Sequence, residues 1–422
     1  MKEFFKHYGQ TVILLLSIII GAIIGLIWKE GATVLSPFGD IFLNLMFVII
    51  VPLVFLTIST SIARIEQPKR LGKIMGSIVL VIVITSIIAV LVGLLSTFFV
   101  KLVNVEDGKA ILESLENSSE EVEAEEAEEA EELNILERTV SAITVSDFSG
   151  LLSKNNLIAL VIFSILFGCA IKMSGEKGKP VQDFLESATT IIMNLLNIVM
   201  YYAPIGLGCY FAALVGSFGA NIALGYAKTF IIYLVVSVLY YFIMYTVYAF
   251  IAGKKKGVKI FWKNAIPPTV TALATCSSAA SIPVNMEATS NMGISSDIAE
   301  TSIPLGTNLH KDGSIIGSVF KVMFLVCLFG TNIATFGGAM QILLVSLVAT
   351  LLVTAVPIGG GTISEMMILS MMGYPVAALP ILTIIATIID CPATVLNVVG
   401  NTSSAMLVSR IVDGKDCLKE EK

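Results

Sequence analysis

The sequence predicts an all-α polytopic membrane protein, and three observations predict it. Of 422 residues, 56% are hydrophobic and only 14% charged, where soluble domains carry roughly a quarter charged residues. Mean hydropathy is strongly positive. The apolar residues also gather in runs of the length that a bilayer core about 30 Å thick accepts. A soluble fold is excluded, because a single soluble domain of this size has no interior large enough for so much apolar surface.

The first run, Val12 to Trp28, follows Lys2 and Lys6. It exceeds the apolar core of a secretory signal and no small-x-small cleavage site follows it, so it reads as a retained membrane helix. Further runs lie near 41–62, 74–103, 155–172, 183–215 and 222–252, and a more interrupted pattern continues to about residue 410. Basic residues sort the loops between them. Lys and Arg number 2 in the N-terminal decapeptide, 4 in 62–75, 3 in 171–182, 5 in 253–264 and 4 after 408, together 18 of the 26. The positive-inside rule puts these loops and both termini on the cytoplasmic side of the cell membrane.

The stretch 104–137 is the opposite extreme, with 14 acidic residues against Lys109 alone; without it the formal charge changes from -6 to +7. The run EEVEAEEAEEAEEL has a helical rhythm but almost nothing apolar to bury. Residues 104–148 therefore read as a solvated acidic external insertion, and no calcium-loop pattern with its central glycine is present. Cys169, Cys209, Cys276, Cys327, Cys391 and Cys417 have no close sequence pairs, so neither a disulfide framework nor a zinc knuckle is expected.

After residue 258 the apolar runs are interrupted by three clusters of small and polar residues. These are TALATCSSAASIPVNM at 271–286, SIPLGTNLHKDGS at 302–314 and TAVPIGGGTISE at 354–365. Such backbone cannot face lipid and must line a protein cavity. The first and third read as re-entrant hairpins whose helix ends aim N–H groups at one region near mid-membrane, suited to a carboxylate-bearing solute. The middle cluster reads as a helix broken from Thr307 to Ser314, whose freed carbonyls can meet a cation. In the last segment Asp390, Thr394, Asn397 and Asn401 follow at spacings of 4, 3 and 4, one helical face. That stripe belongs against the hairpin tips. Lys321, at mid-helix, calls for an acidic or carbonyl partner inside the bundle, with Glu365 as one candidate.

From Ser36 to Arg410 the chain resembles the dicarboxylate/amino acid:cation symporter family, the family of glutamate transporters. The matching stretches are SPFGDIFLNLMFVIIVPLVF at 36–55, YAPIG at 202–206, CSSAASIPVNM, IPLGTNLHKDGS, the PIGGG hairpin and DCPATVLNVVGN at 390–401, in family order. The first hairpin looks closest to the serine/threonine symporter branch. The resemblance implies the glutamate-transporter-homologue fold of eight transmembrane helices plus two re-entrant helical hairpins, assembled as a homotrimer. It also implies a division of labour by an elevator-type mechanism. Residues 1–73 (helices 1–2) and 149–220 (helices 4–5) would be scaffold, while 74–103 (helix 3) and 221–411 (helix 6 to helix 8) would be the transport unit, with 412–422 as a cytoplasmic tail.

Carried over by position, Ser277, Ser278, Ser314, Gly360, Asp390, Ala393, Thr394 and Asn397 would hold the solute. The serines and Asn397 would take a carboxylate, and Asp390 an ammonium group. Members that carry acidic solutes have an Arg where this chain has Ala393, and Cys276 before the serines supplies no replacement charge. A second substrate carboxylate would be buried unpaired, so the resemblance implies a neutral amino acid. An acidic or dicarboxylate solute is the alternative.

The positions that would hold a cation or its replacement are Thr85, Ser86, Gly306, His310, Lys311, Asp312, Asn397 and Asn401, the Lys311 ammonium being a group that could stand in for the ion. The family's Asn-Met-Asp-Gly-Thr reads His310-Lys311-Asp312-Gly313-Ser314 here, its terminal-site Asp is Asn401, and its third-helix Tyr is Ile82. Sodium coupling through weakened sites, proton coupling through His310 or Glu365, and cation-independent exchange all stay open. No organic cofactor and no nucleic-acid partner is expected. Two rivals fare worse. An intramembrane aspartyl protease would need Asp312 and Asp390 to share a proton, which a neighbouring Lys opposes. An ion channel would leave two dissimilar hairpins unexplained.

Overall fold

A computed structural model describes residues 2–63, 71–103, 144–153, 156–218, 220–331, 333, 335–351 and 360–414. The acidic stretch 104–137, the tip of the second hairpin at 352–359 and the tail beyond 414 lie outside the described residues. Among the described residues every regular element is a helix. In chain order the long ones are α1 (Lys2–Trp28), α2 (Ser36–Ala63), α3 (Leu71–Thr97), α4 (Leu157–Met173), α5 (Lys179–Phe218) and α6 (Ala220–Asn264). There follow α7 (Ile266–Thr275), α8 (Ile282–Asn291), α9 (Ser296–Leu309), α10 (Asp312–Phe329), α11 (Phe336–Leu351), α12 (Gly360–Met372) and α13 (Leu379–Val412). Among the described residues five stretches are long and apolar enough to cross a membrane: Leu16–Phe42, Lys73–Thr97, Ile222–Asn264, Ser296–Phe329 and Val376–Val412.

These helices are inverted relative to those of a soluble protein. On α3, Val79, Leu80, Ile84 and Leu95 are exposed while Thr85 and Ser86 are buried. On α6, Ile231, Val235, Leu239 and Phe242 point outward, and Tyr233, Tyr240, Tyr245 and Tyr248 point inward. Apolar faces outside and hydroxyls inside are what lipid as solvent selects, since a polar group needs partners that only the protein can give it.

Local chemistry fixes the breaks. Prolines begin α7 and α8, where the missing N–H has no intrahelical acceptor to lose. Between them residues 276–281 turn the chain back, so the first predicted hairpin is present, its two short arms packed on each other. α11 and α12 also pack together, as a second hairpin requires. α6 is broken at Gly253 and Lys254, which leave helical geometry. The middle break is tighter than the sequence suggests. Only His310 and Lys311 leave helical geometry, with ψ of 101 and 56. Thr307 stays in helix with its hydroxyl donating to the Ile303 carbonyl, and Asp312 already heads α10, where its charge is favourable at a helix N-terminus.

Two groups of helices emerge from the packing. α5 lies along α1 and α2, and α2 along α4. Around α13, in contrast, gather α3, α6, α7, α9 and α10, with α11 and α12 behind α10. The groups touch through few pairs, chiefly α1 with α7 and α13, and α12 with α4. α10 is the centre of the second group, buried at almost every position from Asp312 to Phe329.

Candidate functional site

The polar centre of the molecule lies where the α9–α10 break meets α3, α6 and α13. His310 and Asp312 are 1% and 0% exposed. His310 Nε2 lies 3.1 Å from Thr85 Oγ1 and 3.5 Å from Asp312 Oδ1. Thr85 also donates its hydroxyl to the Ile82 carbonyl at 3.2 Å. With that hydrogen engaged, the hydroxyl lone pair faces the ring, so Nε2 is the nitrogen that carries the neutral imidazole's proton. The Tyr240 hydroxyl donates to Asp312 Oδ2 at 2.9 Å and also meets Tyr248 at 3.1 Å. Three atoms here lack hydrogen-bond partners among the described residues: Ser86 Oγ, Asp312 Oδ1 and His310 Nδ1. A buried carboxylate left with an open oxygen is costly, so the cluster is short of a positive charge.

The second position at which the sequence leads one to expect a cation is filled by an amide. Asn401 is 1% exposed and donates its amide to the Ile303 carbonyl at 2.8 Å and to Thr307 Oγ1 at 3.2 Å. Its Oδ1 presses on Gly306 so closely that a Cβ at that glycine would overlap it. The amide thus caps carbonyl and hydroxyl oxygens that a cation would otherwise share. Lys311, on the break itself, is half-buried.

Along α13 the predicted face splits into a buried part and an open part. Thr394, Asn397 and Asn401 are buried, while Asp390 is exposed and has no hydrogen bond or ion pair among the described residues. Asn397 and Ser314 hold each other: the Ser314 N–H donates to Asn397 Oδ1 at 3.2 Å, and Asn397 Nδ2 donates to Ser314 Oγ at 2.9 Å. One amide hydrogen of Asn397 remains for a ligand. Gly313 approaches the Ala393 carbonyl with no room for a Cβ, which welds the start of α10 to α13.

The first hairpin's tip reaches the same place. α7 packs on α13, and Asn285 in α8, the hairpin's other arm, donates its amide to the Val398 carbonyl of α13 at 3.1 Å. Thr275 Oγ1 occupies the Ser277 N–H, and Ser277 Oγ accepts from the Ala280 N–H. The N–H groups of Ser278 and Ala279 have no partner among the described residues. These two N–H groups lie at the tip of the hairpin whose first arm packs on the helix that carries Asp390. Gly360 is the first residue of α12, next to the tip of the second hairpin that lies outside the described residues.

Lys321 finds the partner its position demanded. Its ammonium lies 3.0 Å from Glu365 Oε1, both side chains nearly inaccessible, and Thr383 donates to Glu365 Oε2 at 2.7 Å. The tyrosines of α6 were not singled out from sequence. Tyr233, which donates to the Gly313 carbonyl at 2.8 Å, and Tyr240 are 7 residues apart, with Tyr248 8 further on. That spacing on one face was the available signal. Tyr240 supplies Asp312 with the hydroxyl that Ile82 cannot.

Apolar faces turned outward around a buried polar cluster, beside a helix broken at His310 and Lys311, fit a membrane carrier. The family model for the sodium:dicarboxylate symporter family matches residues 11–411, and the chain belongs to that family, which consists of transporters and not enzymes. It is 28% identical over 413 residues to a proton/sodium-glutamate symport protein of Geobacillus stearothermophilus, covering 96% of this chain and 95% of that one. It is 27% identical over 416 residues to the proton/sodium-glutamate symport protein of Bacillus subtilis, covering 96% and 92%. It is also 27% identical over 410 residues to a C4-dicarboxylate transport protein of Acidovorax ebreus, covering 96% and 87%.

Proposed function

We propose that the protein carries a neutral amino acid across the cell membrane together with a sodium ion, its termini on the cytoplasmic side. The observation that carries this reading is Asp390, exposed and without an ion pair among the described residues, on a helix that has Ala393 and no arginine three positions on. Beyond residue 138 the chain contains a single arginine, Arg410, at the far end of α13, where its guanidinium donates to the Gly414 carbonyl. Lys321 is neutralised by Glu365. A solute with a second carboxylate would leave that group unpaired, at a cost of several kcal/mol. A C4-dicarboxylate, having no ammonium group, would set like charge against Asp390. A zwitterion fits both ends: its carboxylate at the Ser278 and Ala279 N–H groups and Asn397, its ammonium at Asp390.

The coupling position is Thr85, Ser86 and Asp312. Two of its oxygens, Ser86 Oγ and Asp312 Oδ1, are buried without partners, and a hard cation prefers oxygen donors with anionic charge. The Asn401 position does not fit a second ion, since its amide nitrogen stands among the oxygens. A second reading rests on His310, whose free Nδ1 can take a proton and supply the same positive charge to Asp312. The sparse contact between the two helix groups supports an elevator in which the α13 group moves past α1, α2, α4 and α5 within a homotrimer. Uptake of labelled serine, threonine, alanine, aspartate and succinate into proteoliposomes under an imposed sodium or proton gradient tests the proposal. Sodium-driven accumulation of a neutral amino acid is expected. Accumulation driven by protons alone transfers coupling to His310, and accumulation of aspartate or succinate alone overturns the substrate assignment.

A further inference from the structure

The five lysines of residues 253–264 lie on one surface, because α6 breaks among them. At Gly253 and Lys254 the chain leaves helical geometry, Lys254 with φ 54 and ψ -144, a backbone that favours glycine. Beyond the break the chain folds back on itself. Trp262 stacks on Phe242 with 5.5 Å between ring centroids, meets Tyr241 at 5.2 Å and donates its indole N–H to Thr246 Oγ1 at 3.0 Å. In an unbroken helix residues 242 and 262 would stand about 30 Å apart. The returned segment buries Gly257, Ile260 and Phe261 and leaves Lys255, Lys259 and Lys263 exposed at steps of four, which is one helical face. Lys254 and Lys256 are exposed beside them, the Lys254 ammonium 5.3 Å from the centre of the Phe250 ring.

The chain leaves this charge uncompensated. No residue between Glu186 and Glu287 is acidic, and Lys255, Lys259 and Lys263 have no ion pair or hydrogen bond among the described residues. The ammonium groups border an apolar surface, since Phe242, Ile243, Val247, Phe250 and Ile251 of α6 are 41–58% exposed. An acidic partner in water would match the lysines but not these side chains. A phospholipid matches both, with acyl chains for the helix face and a phosphate at the level where lysine stems reach outward along apolar surface. We propose that the lysine face at the α6 break binds the headgroups of anionic phospholipids in the adjoining leaflet. Each lysine near an anionic leaflet is worth roughly fivefold in affinity, and three on one face converge on the same headgroups. The site rests on the chain's place in a membrane and not on the solute or ion assigned above.

Trp262 lies in the same segment as the lysines and is one of two tryptophans in the chain, so Trp28→Phe makes it the sole fluorescent reporter. The test reconstitutes that protein in phosphatidylcholine liposomes containing a series of mole fractions of either brominated phosphatidylglycerol or brominated phosphatidylcholine. The expected result is quenching of Trp262 by the anionic lipid at a several-fold lower mole fraction than by the zwitterionic one. Adding Lys255→Gln, Lys259→Gln and Lys263→Gln together should remove most of that preference. High salt, which screens exposed charges, should narrow it in the protein that keeps its lysines, a measurement that does not depend on the folding of the triple variant. Equal quenching by the two lipids overturns the proposal, as does an anionic preference that high salt leaves unchanged or that the triple variant retains. Fluorescence is read without a transport assay, so an error in the assigned solute cannot imitate any of these failures.

Discussion

Glu365 and Asp390 are both acids in the α13 group, and the structure treats them in opposite ways. Glu365 is 1% exposed, with Lys321 on one oxygen and Thr383 on the other. Asp390 is exposed with neither, and Lys321 is paired with Glu365. A membrane charge that is fully partnered is a fastening between helices; one left open at a cavity waits for a charge that arrives from outside. The fastening ties α10, α12 and α13 together behind the site, and the open acid faces it.

The largest effect should come from breaking the fastening. Glu365→Leu leaves the Lys321 ammonium buried alone and should cost about 3–5 kcal/mol of stability, read as a fall in melting temperature in detergent. Adding Lys321→Met should recover most of it; no recovery would mean that Glu365 does more than neutralise the lysine. Next comes Asp390→Asn, which removes one charge-assisted bond of about 1.5–3 kcal/mol, or roughly 10- to 100-fold in solute affinity. Its melting temperature should hold, because no protein partner is lost. A variant that melts early with intact affinity would make Asp390 the fastening instead.

Smaller changes should follow at the edges of the comparison. Ala393→Arg puts a guanidinium beside Asp390 and should move competition for uptake toward aspartate by about tenfold, the worth of ~1.4 kcal/mol. Smallest is Asn401→Asp. It replaces a donor to the Ile303 carbonyl with a carboxylate, so the melting temperature should become more sodium-dependent than in the parent protein. A melting curve equally indifferent to sodium and potassium would remove Asn401 from any cation position.

Much of this was legible in the sequence because the bilayer makes its demands locally. Breakers between apolar flanks marked the first hairpin and the break before Asp312, and the 390, 394, 397, 401 spacing marked one polar face of α13. Lys321 announced that it needed a partner, and Glu365 is that partner. What stayed hidden was tertiary. The loss of a tyrosine at Ile82 reads as a weakened site, but Tyr240 brings a hydroxyl to Asp312 from a helix 72 residues away in the chain. Nothing in the local pattern told that Asn401's amide would cap the oxygens beside Gly306. Contacts of that kind depend on how helices cross, which apolar periodicity does not encode. The acidic insertion was the plainest feature of the sequence, yet it lies outside the described residues.

The claim that Asp390 and the first hairpin receive a neutral zwitterion is tested most directly by titration calorimetry of the purified protein in sodium buffer with serine, threonine, alanine, aspartate and succinate. Heat of binding for at least one neutral amino acid, weakened by Asp390→Asn, and none for succinate is the predicted result. Tight binding of succinate or aspartate that survives Asp390→Asn, with no heat from the neutral amino acids, would contradict it.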